Sequence, residues 1–197
     1  MALLPVPVGC IAAVVTHLEM REPPAERPTM SDRPGLALVR VPTPDLEWYR
    51  GLYRAVGEDW LWFSRLTMTD RQLADLLRNP QVAVYAVRDG AREIGLVELD
   101  WREAPDCEVV FFGLVPDATG RGLGAWAMRE VQRLAFVEGA ARLWLHTCTL
   151  DHPRALPFYM AQGFRPFRRE IEIAPDPRIS GELRRDAAAF HPVIAPE

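Results

Sequence analysis

Apolar residues alternate with period two along some stretches and recur every three to four along others, and that switch divides the chain into elements. VAVYAVR (82–88), EIGLVELD (93–100) and CEVVFFGLV (107–115) are short, β-branched and aromatic. Their connectors RDGARE and WREAPD hold the Gly, Asp and Pro of tight turns, so the three predict an antiparallel meander. LALVRV (36–41) predicts a strand before them. Between lie two helical patterns: TPDLEWYRGLYRAV, with Thr43 as cap, Pro44 at the first helical position and Leu46, Tyr49, Leu52 and Tyr53 on one side, and TDRQLADLLRN (69–79), with Leu73, Leu76 and Leu77 on one face.

After the meander the period changes to that of a long amphipathic helix. GLGAWAMREVQRLAFVEG aligns Leu123, Ala127, Val131, Leu134 and Ala135 on one stripe opposite Arg129, Gln132 and Arg133. ARLWLHTCTL (141–150) predicts a strand beside the last meander strand, parallel to it through a right-handed crossover. DHPRALPFYMAQGF predicts a short helix starting near Pro153 or Arg154, which keeps Pro157 in the first turn, and closed by Gly163. FRPFRREIEI is the last strand region, and the residues from Pro175 onward read as turn and tail.

At the other end, IAAVVTH (11–17) is a short, partly β-branched strand, followed by the Pro- and charge-rich linker REPPAERPTMSDRP (21–34). That strand has to pair at this sheet's edge or on a second copy, so a homodimer is compatible with it. The division expected is a strand and linker over 1–34, a single domain over 35–175 and a tail over 176–197. A length of 197 residues suits one such domain.

Composition removes several functions. The formal charge is −4, which argues against nucleic-acid binding. All 23 basic residues are arginine, as GC-rich bacterial coding would produce, and with no lysine the chain lacks the central residue of a Walker phosphate loop. Cys10, Cys107 and Cys148 have neither disulfide nor zinc spacing, which fits a reducing cytoplasm and no metal. Pro5 and Pro7 interrupt the apolar start, against an export signal, and no run has the eighteen or so apolar residues of a membrane helix. His146 and Cys148, alternating on one strand face, read as a satisfied core pair.

The candidate chemistry centres on DATGRGLGA (117–125). Its glycines leave backbone N–H groups at a strand-to-helix turn free to close on an anion. As GxGxxA it matches a dinucleotide fingerprint, but the acidic residue that should follow at the end of the next strand, Asp151, comes about ten positions late.

The order of elements and two local motifs together resemble the GCN5-related N-acetyltransferase (GNAT) family over about residues 36–173. Phe112-Gly113-Leu114, followed by Thr119-Gly120-Arg121-Gly122-Leu123-Gly124, is similar to the family's strand end and pyrophosphate loop. His152-Pro153-Arg154-Ala155-Leu156-Pro157-Phe158-Tyr159 with Gly163-Phe164 is similar to its tyrosine helix. The resemblance implies an α/β fold with a mixed sheet, in which an antiparallel meander is joined to a splayed parallel strand pair, extended here by the N-terminal strand. It implies acetyl-CoA as cosubstrate, held by Phe112, Leu114, Thr119, Gly120, Arg121, Gly122, Leu123, Gly124, Ala125, His152 and Tyr159, and transfer to a primary amine by direct attack. Thr119 departs from the family's Gln or Arg, and His152 from its Asn. A non-catalytic acyl-CoA sensor or partner subunit is the alternative these departures suggest.

A primary ammonium has a pKa of about 10.4, so a base is needed near neutrality. By resemblance of placement that base is Glu108, with Glu98 in reserve, and Tyr159 takes the general-acid place toward the thiolate. The aromatic stretch GEDWLWFSRL (57–66) falls at the expected acceptor mouth. There Trp60 and Trp62 would form an apolar slot and Glu58 with Asp59 would attract a small, cationic or amino-acid-like amine.

Overall fold

The structure, a computed structural model, describes residues 3–23 and 34–196. Most of the predicted linker lies outside them. Seven strands form one sheet: β1 (Cys10–Met20), β2 (Leu36–Arg40), β3 (Val82–Asp89), β4 (Arg92–Asp100), β5 (Asp106–Leu114), β6 (Arg142–Cys148) and β7 (Arg165–Pro175). Their spatial order is β2-β3-β4-β5-β6-β1-β7, and every pair is antiparallel except β5 with β6. The meander and the parallel pair stand as expected.

Among the described residues four α-helices connect the strands, α1 (Leu46–Gly57), α2 (Asp70–Leu77), α3 (Leu123–Val137) and α4 (Ala155–Ala161), and a fifth, α5 (Pro177–Ser180), follows the last strand. α1 begins later than Pro44 predicts. Asp45, not Thr43, caps it, accepting from the N–H groups of Glu47 at 2.9 Å and Trp48 at 3.0 Å. α2 starts at the capping box of Thr69 and Gln72. In α4, Pro157 is the third residue, where its missing N–H costs no helical bond.

The helices cover both faces of the sheet. Tyr49 of α1 reaches Glu98 of β4, whose register partner on β5 is Phe111, whereas the next residue, Phe112, turns to Phe158 of α4. Adjacent residues of a strand point to opposite faces, so α1 and α4 lie on opposite sides. Between the layers sits one core containing Leu96, Leu99, Val109, Met128, Val131, Leu143 and Leu145, each fully or almost fully buried. Each such side chain contributes about 1.5–3 kcal/mol. Gln132 belongs to this buried face of α3 instead of the predicted polar one, because its amide donates to the Gln162 carbonyl at 2.9 Å and ties α3 to the end of α4.

Two segments differ from expectation. β1 is neither an edge nor a bridge to a second copy: it fills the interior position between β6 and β7, pairing Val15 with both Cys148 and Glu170. Its buried Ala13, Val15, Leu18 and Met20 explain why, since an edge position would leave that apolar set less covered. The predicted tail folds back as well. Arg178 is 3% exposed, pairs with Asp176 at 2.7 Å and donates to the carbonyls of Ala187, Ala188 and His191. Leu183, Ala187 and Ala188 then close a second, small core on Ala13, Leu61 and Leu150. Among the described residues no helix is long and apolar enough to cross a membrane.

Candidate active site

β5 and β6 pair only over Asp106–Arg142, Cys107–Leu143 and Glu108–Trp144. Beyond Glu108 they part, and a cavity of ≈ 920 Å³ opens between them, running from the glycine loop past Tyr159 to the aromatic stretch after α1. The splay frees polar backbone along Val109–Leu114 for an extended ligand.

At one end the loop after β5 delivers α3. Gly120 and Gly122 have φ of +75° and +77°, a region open to glycine at little cost. Gly122 is the N-cap of α3 and has no side chain to cap with, so the N–H groups of the first turn carry no side-chain acceptor. That leaves positive helix-end potential aimed at the cavity, as an anionic ligand requires. Gly120, Gly122, Gly124 and Ala125 line the wall. Leu123 does not: its side chain is 1% exposed and belongs to the core. Arg121 is exposed and off the wall. Thr119 lines it, but its hydroxyl donates to the Pro116 carbonyl at 2.7 Å, which spends its only proton on closing the turn.

Midway, Phe112 stacks on Phe158 with centroids 5.9 Å apart, and Phe112, Phe158 and Phe164 surround the Tyr159 ring. Burial drives the Tyr159 phenol well above its ordinary value, with Asp151 adding to the effect, and its hydroxyl stays protonated. His152 precedes α4, accepts the Arg154 N–H on Nδ1 at 3.0 Å and rests against Trp60, centroids 4.8 Å apart.

The far end is aromatic. Leu61 adopts a left-handed conformation (φ 55°, ψ 39°), paid for by its burial in the small core. Its neighbours diverge: Trp60 faces His152 and Phe190, and Trp62 packs on Tyr53 and Phe111. Gly57 and Gly113 make room for Trp62, since a Cβ at Gly57 would fall 2.2 Å from its ring. Both tryptophans line the cavity as the sequence suggested.

The acidic residues are placed differently. Glu58 and Asp59 are engaged by Arg184 of the C-terminal segment, Glu58 also meets Arg54 four positions before it, and neither lines the cavity. Glu98 is 1% exposed and locked between the Tyr49 hydroxyl and the Arg65 guanidinium, 2.6 Å away. Burial works against the charge on Arg65, but the Glu98 carboxylate outweighs it and holds the guanidinium ionised. Glu108 does not line the cavity either; it meets His146 Nδ1 at 3.4 Å. His146 is the residue on the wall, exposed, with Cys148 beside it, so the alternation read as a core pair faces the cavity. Glu108 raises the His146 pKa by its hydrogen bond, against burial. Burial pushes the Cys148 thiol up to about 11, leaving it a poor nucleophile. Glu172 of β7 also lines the cavity, and no ion pair involves it among the described residues. Among those residues no group of His, Cys, Asp or Glu is placed to hold a metal.

A family model described as the acetyltransferase (GNAT) family matches residues 47–164, the stretch from α1 through Phe164. Solved structures share the fold. A protein described as a GNAT-family acetyltransferase from Novosphingobium aromaticivorans is 21% identical, with TM-score 0.56 over 86% of this chain and 68% of its own. A GCN5-related N-acetyltransferase from Sphaerobacter thermophilus is 14% identical, with TM-score 0.60 over 86% of this chain and 52% of its own. An IAA acetyltransferase from Bacillus cereus is 20% identical, with TM-score 0.52 over 68% and 79%. This chain thus spans about half the length of the second. No curated protein matches it.

Proposed function

Because the chain belongs to the acetyltransferase (GNAT) family, we propose that it transfers the acetyl group of acetyl-CoA to the nitrogen of a small primary amine by direct attack, with His146 as proton acceptor and Tyr159 facing the leaving sulfur. The observation that carries this reading is the single cavity that joins an uncapped helix end, a buried protonated tyrosine and a carboxylate-supported histidine.

Each residue has a task set by its surroundings. The first-turn N–H groups of α3 bind the phosphates, and the parted edge of β5 pairs with the amides of the pantetheine arm. His146 accepts the ammonium proton at the nitrogen not turned to Glu108. Glu108 is a positioning residue: it orients the ring and stabilises the imidazolium that forms. The amine lone pair then forms the C–N bond at the thioester carbonyl as the C–S bond breaks, and the acylated nitrogen gives up its remaining extra proton to solvent. Tyr159 donates a hydrogen bond to the departing thiolate; its high pKa favours this over full proton transfer, so the thiolate takes its proton from solvent.

Calorimetry with acetyl-CoA followed by thiol release with a panel of amines tests the reading. Binding with turnover is expected, and Tyr159→Phe should lower kcat by about 100-fold while leaving acetyl-CoA affinity nearly unchanged. Binding without turnover on any amine would favour an acyl-CoA sensor, and absence of binding would sink both.

A further inference from the structure

The acceptor end of the cavity has a composition that chooses among amines. Its walls are Tyr53, Trp60, Trp62, Phe63 and Phe111, aromatic faces with apolar Leu61 and Leu150 between them. One cation stands among these rings, Arg65, its guanidinium 4.9 Å from the Phe111 centroid. It is 9% exposed, and its Nε and Nη2 donate to Glu98, whose carboxylate balances its charge. A carboxylate on the acceptor would therefore meet there a guanidinium already paired with Glu98. The other arginine of the wall, Arg154, is on the connection into α4.

The anionic side is different. Asp151 is spent on the Thr147 hydroxyl at 2.6 Å and the Cys148 N–H at 2.9 Å. Glu172 makes no ion pair among the described residues, lies near enough to His146 and Cys148 to act on both electrostatically, and faces the cavity from β7. The acceptor end thus offers one uncommitted negative charge beside the histidine and an aromatic slot, with its buried cation already paired.

Resting on the acetyltransferase reading, we infer that the acceptor is an arylalkylamine lacking a carboxylate next to its amino group, and that Glu172 is the residue that selects its positive charge. The ring of such an amine stacks in the tryptophan slot while its ammonium sits between Glu172 and His146. An amino acid of the same body brings its carboxylate beside the Glu172 carboxylate, and like charges so placed repel.

The test uses the full chain with acetyl-CoA and compares 2-phenylethylamine, phenylalanine and a short basic peptide by thiol release. Phenylethylamine should exceed phenylalanine in kcat/KM by at least about tenfold, as a like charge beside Glu172 demands. Glu172→Gln should raise KM for phenylethylamine roughly five- to tenfold with kcat little changed. Its acetyl-CoA affinity by calorimetry should equal that of the parent, which separates loss of acceptor selection from loss of fold. Preference for phenylalanine or the peptide, an unmoved KM in Glu172→Gln, or acetyl-CoA binding with no turnover of phenylethylamine would overturn the inference. Absence of acetyl-CoA binding would instead remove the reading on which it rests.

Discussion

His146 stands between the carboxylate that raises its pKa and the cavity where its proton would be exchanged. Glu108 on β5 contributes the hydrogen bond that raises it, burial opposes, Asp151 and Glu172 add to the rise, and His17 on β1 lies 5.8 Å away ring to ring. A base must be neutral to act, so kcat/KM should climb with pH through a value above the usual imidazole figure of about 6.5 and level off beyond it. Glu108→Gln removes the bond that holds the proton and should move this limb to lower pH. A limb that stays in place in the variant would take Glu108 out of the mechanism. The same pair affects stability with the opposite dependence: its contribution is full below the unfolded imidazole pKa and is lost as pH rises through the raised folded value. At this scale the sequence located wall residues that sit in a local motif, as do Tyr159 and the loop glycines. It was not readable where the role depends on a distant partner. His146 alternates with Cys148 as any half-buried strand would, and only the parting of β5 from β6 turns that face to a cavity. Glu58 and Asp59 looked like acceptor anchors because Arg184, more than a hundred positions away in the chain, is invisible from their neighbourhood.

Elements built from local periodicity were legible: the meander, α3 and α4 occur where pattern and turn residues put them. What escaped was the fate of the two ends. Residues 176–191 have no periodicity because their order comes from one buried arginine accepting the task of an entire turn. Arg178→Ala leaves Asp176 as an uncompensated buried charge and strands three carbonyls, which should cost about 3–5 kcal/mol in urea unfolding. Since Trp60 rests on Phe190 of this segment, the variant should also change tryptophan emission before global unfolding begins. Acid gives a gentler probe of the same contact. Arg178, through its hydrogen bond, holds the Asp176 carboxyl below the usual range, against burial, so its stabilising contribution persists above the ordinary carboxyl value of about 3.9 and is lost as pH falls through the depressed one. A change in Trp60 emission confined to that acid range in the parent, and absent in Arg178→Ala, is the expected outcome.

For the whole molecule, the sheet holds the two halves of the site in one frame: α3 with its loop on one face, the aromatics after α1 on the other, and the gap between β5 and β6 as the passage joining them. A ligand that fills this passage binds only the folded chain, so acetyl-CoA at about 100 times its Kd should add about 2.7 kcal/mol to unfolding free energy. A melting temperature that does not rise with the ligand would contradict the assignment of the cavity. The interior place of β1 has a consequence in time. Its neighbours β6 and β7 come last in chain order among the seven described strands, and the Val14 N–H meets the Thr149 hydroxyl 135 positions along the chain. During synthesis β1 must wait, apolar and unpaired, until β6 and β7 exist. Contacts of such long sequence separation slow folding, so refolding from urea should end in a slow phase that reports closure of β1. Carrying β1 at the far end of the chain, after β7, would let all three strands emerge together and should shorten that phase.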